Sequence, residues 1–331
     1  MKLLVLRFSA LGDVALLRPV FEAVLDAHPE LELVFCSRKP YLELFADLPR
    51  LVPHVFDPKQ HRGLPGLYRL SRELMVHRPD AILDTHGVLR THILSAFFRM
   101  HGRPVYAIDK QRKERADFLR NRGSQRPRLK HAVMRYAEVM DRAGFGASPR
   151  NPPTRDAESC SAVLGFAPFA STREKTWPLE YTLELIDALL HKGYPLRLYG
   201  APDELQMLQS RCRPHSLLSW SDPTQGLKAE WETLSALWGM IAMDSANLHL
   251  AALSGVPTLS LWGATHPDAG FAPWGIGHHY LQIAETELEC RPCSIFGNRK
   301  CHRGDWACMT RIKSAKAMAR ISEIWPLDLM H

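Results

Sequence analysis

What most constrains this chain is a pattern that runs twice: short apolar runs alternate with helical stretches, and a turn-rich segment separates the two series. In the first series, residues 2–8 read as a buried parallel strand and residues 10–27 then carry helical periodicity. Strand-like runs recur at 31–36, 81–84 and 104–108, with helices expected at 64–77, 89–99 and 132–143. The second series has strand-like runs at 162–166, 196–199, 240–243 and 258–262, and helices at 180–191, 203–209, 230–238 and 247–253. Such alternation predicts parallel sheets covered by helices on both faces. Residues 146–154, rich in Gly, Pro and small polar residues with no apolar period, read as the linker. The expected fold class is therefore α/β, with two Rossmann-like doubly wound domains facing a cleft. Residues 1–147 form the first domain and 148–312 the second, while a helix within 313–331 is free to pack back on the first. A length of 331 residues suits two cores of this size.

Charge narrows the partners. The formal net charge is +7, and residues 110–135 alone hold ten Lys and Arg against Glu114 and Asp117. No aromatic residues alternate with these cations, as a platform for single-stranded nucleic acid would require, so nucleic acid is not the expected partner. A solvated basic face and a patch that meets phosphates both remain open. The apolar run 162–170 contains Gly165 and Pro168 and falls well short of the ~20 residues of a membrane-spanning helix. The run 3–6 ends at Arg7, too short for a signal-peptide core, so a cytoplasmic location is expected.

Three loops carry the polar residues that chemistry would need. The first βα turn, Arg7 to Val14, has a single glycine, Gly12, and so is neither a dinucleotide fingerprint nor a P-loop. At its tip stands Asp13, readable as a charge complementing a helix dipole or as a general base. After the strand at 162–166, Ser171, Thr172 and Lys175 form a polar loop able to hold a diphosphate. A later strand delivers Asp244 and Ser245 to a small-residue helix whose free N–H groups suit an anion, with His249 one turn further in. A histidine on an apolar helix face is also an ordinary core residue. The neighbouring loop, Gly263-Ala264-Thr265, ends at the same sheet edge.

Taken together, four blocks resemble glycosyltransferase family 9, the bacterial ADP-heptose:lipopolysaccharide heptosyltransferases. They are Arg7 to Pro19, Pro168 to Pro178 with Lys175-Thr176-Trp177-Pro178, Tyr199 to Glu204, and Asp244 to Pro267. The segment from Asp84 to Arg90 is similar to an acceptor-side loop of the family. The resemblance implies a GT-B fold, an inverting mechanism, and acceptor and donor sites in the first and second domains respectively. It places Asp13 as the catalytic base, Lys175 on the donor diphosphate, Glu204 near the donor ribose, and Asp244, Ser245 and His249 in the donor loop. The basic segment, represented by Arg112, Lys113, Arg115 and Arg120, is then expected to bind a phosphorylated acceptor. One residue departs from the family: Ala246 stands where a glycine is usual, and its methyl group is expected to crowd the diphosphate or shift the helix start.

The function expected is inverting transfer of a heptose, or a related sugar, from an ADP-sugar to a phosphorylated lipopolysaccharide-core acceptor. The acceptor is lipid A with its core sugars, and the protein is expected as a monomer, peripheral to the anionic inner membrane. The nucleotide sugar is a substrate; neither a cofactor nor a catalytic metal is expected, since Lys175 and helix dipoles do a divalent ion's work. Alternatives are another GT-B nucleotide-sugar enzyme, epimerase-like, and a non-catalytic protein that binds an anionic glycolipid. Finally, Cys290, Cys293, Cys301 and Cys308 form a cluster that reads as structural zinc or as reduced or reversibly paired thiols; the second C-x2-C of a zinc ribbon is missing.

Overall fold

The computed structural model describes residues 1–155, 160–275 and 277–329. It divides into two units, residues 1–111 with 130–151, and residues 112–129 with 152 onward.

In the first unit the elements run β1 (Lys2–Leu6), α1 (Leu11–Ala15), α2 (Arg18–Ala27), β2 (Glu32–Ser37), α3 (Lys39–Leu42), β3 (Leu51–Val55), α4 (Gly63–Met75), β4 (Ala81–Asp84), α5 (Leu89–Met100) and β5 (Val105–Ala107). Helix α6 (Arg112–Arg120) belongs to the second unit, and α7 (Ala132–Arg142) returns to the first. The five strands are all parallel, in the order β3-β2-β1-β4-β5. Strand order reverses beside β1, because the chain builds outward through β2 and β3 and then crosses back to β4. Leu4, Leu6, Val34, Ile82 and Leu94 are fully buried in one core on this sheet. The single helix expected over 10–27 is two helices. Pro19, at the second position of α2, cannot donate to the carbonyl four residues earlier, so the helix breaks before it. Strand β3 escaped the sequence pattern because Pro53 interrupts it; an edge strand tolerates a proline where a central one does not.

The second unit continues with β6 (Leu164–Ala167), α8 (Leu179–Lys192), β7 (Leu196–Leu198), α9 (Pro202–Gln209), β8 (Leu218–Trp220), α10 (Leu227–Ser235), β9 (Gly239–Met243), α11 (Ala246–Leu253), β10 (Thr258–Trp262), β11 (His278–Gln282), α12 (Ala307–Thr310) and α13 (Ser314–Ile324). Its parallel sheet has the order β11-β10-β9-β6-β7-β8, so the reversal falls between β6 and β9. Ile241, Met243, Leu259 and Leu261 fill the core from central strands.

Two assignments differ from the domain division expected from sequence. Residues 112–129 of the basic segment are not part of the first unit: Phe118 and Leu129 are buried with Ala269 and Ile295, and Arg126 pairs with Glu285. Its apolar residues, hidden among so many charges, decide where it lies. The C-terminal helix α13 packs on α8 of the second unit, where Ala317, Ile321 and Trp325 join the core. Tyr194 donates its hydroxyl to the Trp325 carbonyl at 2.7 Å, and Lys192 reaches Ser322 Oγ at 2.9 Å.

The Trp325 indole packs against the start of β9, where a Cβ added to Gly239 would come within 2.2 Å of the ring. Gly239→Ala is therefore expected to lower the stability of the second unit by about 1–3 kcal/mol through overpacking. Urea denaturation followed by tryptophan fluorescence checks this; an unchanged midpoint would show that the ring moves aside freely.

Candidate active site

In the first unit the chain leaves β1 through Arg7 and enters α1, which carries Asp13 in its first turn. The buried Arg7 pairs through Nη2 with Asp13 Oδ2 at 2.8 Å, and its Nη1 donates to the Thr85 carbonyl just beyond β4. Tyr136 of α7 donates its hydroxyl to the other carboxylate oxygen at 3.4 Å, and the Arg7 guanidinium lies 5.2 Å from the Tyr136 ring centroid. Burial opposes the charge on Arg7, but Asp13 more than offsets it and holds the guanidinium proton more tightly than usual. Burial likewise pushes the Tyr136 phenol up, so it stays a donor. The Asp13 side chain keeps 25% exposure while Arg7 keeps 9%. A cation and a phenol thus orient a carboxylate that still meets solvent.

His86 lies over the same turn. Its Nδ1 accepts from the Phe8 N–H at 3.5 Å, and Nε2 is 3.5 Å from Ser9 Oγ. Burial, reinforced by the Arg7 charge, lowers its pKa to about 3. Asp84, buried at the end of β4, shapes the loop by accepting the N–H groups of His86 and Gly87 at 3.0 and 2.7 Å.

In the second unit the loops after β6 and β9 flank the reversal. The first is pinned by Trp177, whose indole N–H donates to the Ile312 carbonyl at 2.9 Å. Just before it, Lys175 places Nζ 3.1 Å from Asp244 Oδ2 at the end of β9. The same oxygen accepts the Thr265 hydroxyl at 2.8 Å, from the loop after β10. Gly297, at φ +69°, covers the lysine stem: a Cβ there would stand 2.3 Å from Lys175 Cδ and 3.1 Å from Thr172 Oγ1. Only glycine fits both the backbone angle and the space. Arg291, buried, secures the surrounding loops by donating to the carbonyls of Gly263, Thr265 and Ile283 and to Gln282 Oε1. Burial lowers its pKa to about 10, which leaves it charged at neutral pH.

Ser245 stands extended at the N-cap of α11, and its side chain makes no capping bond. Its hydroxyl and that of Thr172 are buried without a hydrogen-bond partner among the described residues. Each such group costs about 1–3 kcal/mol until an acceptor reaches it. Helix α11 begins at Ala246, directly after the Asp244-Ser245 pair.

The remaining expected residues scatter more. Ser171 is exposed on the Lys175 loop. Glu204 accepts the Ala201 N–H at 2.8 Å at the start of α9, and burial pushes its carboxyl up. His249 is buried one turn into α11, flanked by buried Leu248 and Leu250. Arg112, Lys113, Arg115 and Arg120 lie on α6, in the second unit and not the first. Arg112 and Lys113 are exposed, Arg115 sits 4.9 Å from the Phe296 ring centroid, and Arg120 pairs with Asp117 at 3.0 Å. The four clustered cysteines line one enclosed cavity of about 20 Å³ and none is in a disulfide. Among the described residues, no group of three or more His, Cys, Asp or Glu side chains is arranged to hold a metal ion. Tyr136, Gly297 and Arg291 were not singled out by sequence. Each acts on a residue more than 20 positions away, which leaves no local pattern.

A family model described as glycosyltransferase family 9 (heptosyltransferase) matches residues 67–299. The chain belongs to this family. As a glycosyltransferase it is 24% identical over 316 residues to lipopolysaccharide heptosyltransferase 1 of Pseudomonas aeruginosa, spanning 88% of this chain and 86% of that protein. The Escherichia coli protein of the same description is 23% identical over 292 residues, spanning 81% and 89%. Among solved structures, E. coli heptosyltransferase WaaC with ADP matches at a TM-score of 0.69 and 18% identity, covering 98% of this chain and 100% of that one. E. coli ADP-heptose lipopolysaccharide heptosyltransferase II matches at 0.70 and 16% identity, covering 98% of each. The glycosyltransferase thus has the GT-B fold, in which each Rossmann-like unit is built on one of the two parallel sheets.

The state of His86 has a measurable consequence. Unfolded, it takes a proton below its ordinary value of 6.5; folded, only near about 3. The unfolded chain binds more protons in that window, so stability falls as pH drops from about 6.5 towards 3, by up to ~1.4 kcal/mol per pH unit. His86→Asn removes this contribution, so the stability difference between wild type and variant should change steadily across the window. Urea midpoints measured at several pH values test it, and parallel pH profiles for the two proteins would refute it.

Proposed function

We propose that this glycosyltransferase moves a heptose from ADP-heptose to a phosphorylated sugar of the lipopolysaccharide core, with inversion at the anomeric carbon. The observation that carries the donor half is the Lys175–Asp244–Thr265 cluster, with the buried hydroxyls of Thr172 and Ser245 beside it. A departing nucleoside diphosphate needs positive charge and hydrogen-bond donors aimed at its oxygens. Lys175 supplies the charge, the two hydroxyls and the first N–H groups of α11 supply donors, and the sheet reversal is where such ligands bind. Asp244 holds the ammonium in place; its own negative charge works against a dianion, so its value lies in positioning. Glu204 would meet the ribose hydroxyls with the carboxylate oxygen not used by Ala201. His249, Ser171 and Ala246 shape the loop around them.

For the acceptor half, Asp13 takes the proton of the attacking hydroxyl as the new glycosidic bond forms and the bond to the diphosphate breaks. Arg7 and Tyr136 fix the carboxylate for this role, and a base so placed contributes about 10²–10⁴-fold to rate. Arg112, Lys113, Arg115 and Arg120 add positive charge for a phosphorylated acceptor presented at an anionic membrane face, where each cation near the surface is worth about 1 kcal/mol. No helix among the described residues is long and apolar enough to cross a membrane. Similarity to lipopolysaccharide heptosyltransferases, one of them solved with ADP, supports the choice of sugar and nucleotide.

The test is the rise in melting temperature with ADP, GDP and UDP, followed by turnover of ADP-heptose. ADP alone should stabilise the wild type; a ligand at 100 times its Kd adds about 2.7 kcal/mol. Lys175→Ala should abolish that rise. Asp13→Asn should keep the rise in full and lose turnover by at least ~100-fold. Stabilisation by GDP or UDP instead would discard ADP-heptose, and turnover that survives Asp13→Asn would discard the base.

A further inference from the structure

The donor cluster leaves one large surface of the second unit unexplained. A solvent-open basin of about 880 Å³ lies between the end of α6 and the cysteine-rich loop. Five permanent cations line it, Arg122, Arg299, Lys300, Arg303 and Arg311, together with His302. None of Lys175, Asp244, Thr265 or Glu204 does.

Three features make this more than a solvated basic face. First, its guanidiniums are anchored by neutral groups. Arg311 donates to the Glu287 carbonyl at 3.1 Å, Arg122 to that of Leu119 at 2.9 Å, and Arg299 to that of Cys293 at 3.5 Å. Among the described residues, only Arg303 of the five forms an ion pair, with Asp305 at 2.8 Å. The arginine forks are therefore oriented while most of their charge stays uncompensated, which suits the bidentate grip of phosphate oxygens. Second, the floor is built: Cys290, Cys293, His302 and Arg303 line both the basin and the enclosed cavity beneath it. Third, two carboxylates, Glu287 and Glu289, stand among the cations. They repel a bare phosphate, but they accept hydrogen bonds from sugar hydroxyls. The volume falls within the range of sites for ligands larger than a single ion.

We propose that this basin binds the phosphorylated sugar headgroup of an anionic glycolipid and so anchors the second unit to the acceptor-bearing membrane. The choice of a glycolipid rests on the acceptor class proposed above; the basin is an additional binding site for it. Cations hold the phosphates, and Glu287 and Glu289 read the sugar hydroxyls.

Vesicle flotation with the full chain tests this. The probe is phosphatidylcholine vesicles carrying a bis-phosphorylated disaccharide lipid (lipid A). Vesicles with phosphatidylglycerol at matched surface charge, and excess inorganic phosphate as competitor, are the comparison arms. Wild type should bind the lipid A vesicles more tightly than the phosphatidylglycerol ones and resist displacement by phosphate. Arg299→Ala/Lys300→Ala should bind them roughly 25-fold more weakly, about fivefold per cation. It should keep its full melting rise with ADP, which shows that it is folded. Arg69→Ala/Arg72→Ala, two exposed cations on α4, should bind as wild type does. Equal binding by the Arg299/Lys300 variant, an equal loss in the α4 variant, equal binding of the two anionic vesicles, or ready displacement by phosphate would each overturn the proposal. Failure of wild type to turn over ADP-heptose would instead sink the proposed reaction and leave the binding difference standing.

Discussion

Both candidate sites depend on where the two sheets reverse direction. In a doubly wound parallel sheet, the crossovers on either side of the reversal leave towards opposite faces, and the two loops there separate to leave a crevice. The first unit puts Arg7 and Asp13 on one such loop and Asp84 to His86 on the other. The second unit puts Lys175 and Asp244 on the corresponding pair. Residues distant in sequence are thereby fixed within hydrogen-bonding distance by the hydrogen-bond ladders of buried strands, so the site inherits the rigidity of the cores.

Both sites then balance charge in the same way. Asp13 is set against Arg7, and Lys175 against Asp244, so each candidate residue rests beside an opposite charge. Burying either member alone would leave an uncompensated charge, which typically costs 3–5 kcal/mol. The pairing therefore lets the fold keep charged groups in mostly buried positions. It also fixes their direction, with Tyr136 behind the carboxylate and Thr265 behind the acid that holds the lysine.

Much of this was legible in the sequence because parallel strands buried on both faces are short, continuous apolar runs. The strands at 81–84 and 258–262 stand where the pattern puts them, and Asp13, Lys175, Asp244 and Ser245 lie just beyond the C-terminal ends of β1, β6 and β9. Edge elements were harder. β3 contains Pro53, tolerated because one side of an edge strand is unpaired, and β11 opens with two histidines that break the apolar run. The basic segment misled for a different reason. Its charges dominate its composition, yet its place is set by two buried apolar residues, Phe118 and Leu129. Long-range partners such as Gly297 against Lys175 leave no trace in local pattern at all.

The proposed reaction is glycosyl transfer in a single displacement, with Asp13 as base and Lys175 facing the departing diphosphate. The most direct measurement is the anomeric configuration of the product formed from ADP-heptose and a phosphorylated core acceptor, read from the one-bond carbon–proton coupling at the new glycosidic carbon. A single displacement with Asp13 as base predicts inversion relative to the donor. Retention would contradict it, because retention needs either two successive displacements or attack from the face that the diphosphate leaves, and neither is the single back-side displacement that Asp13 would serve as base.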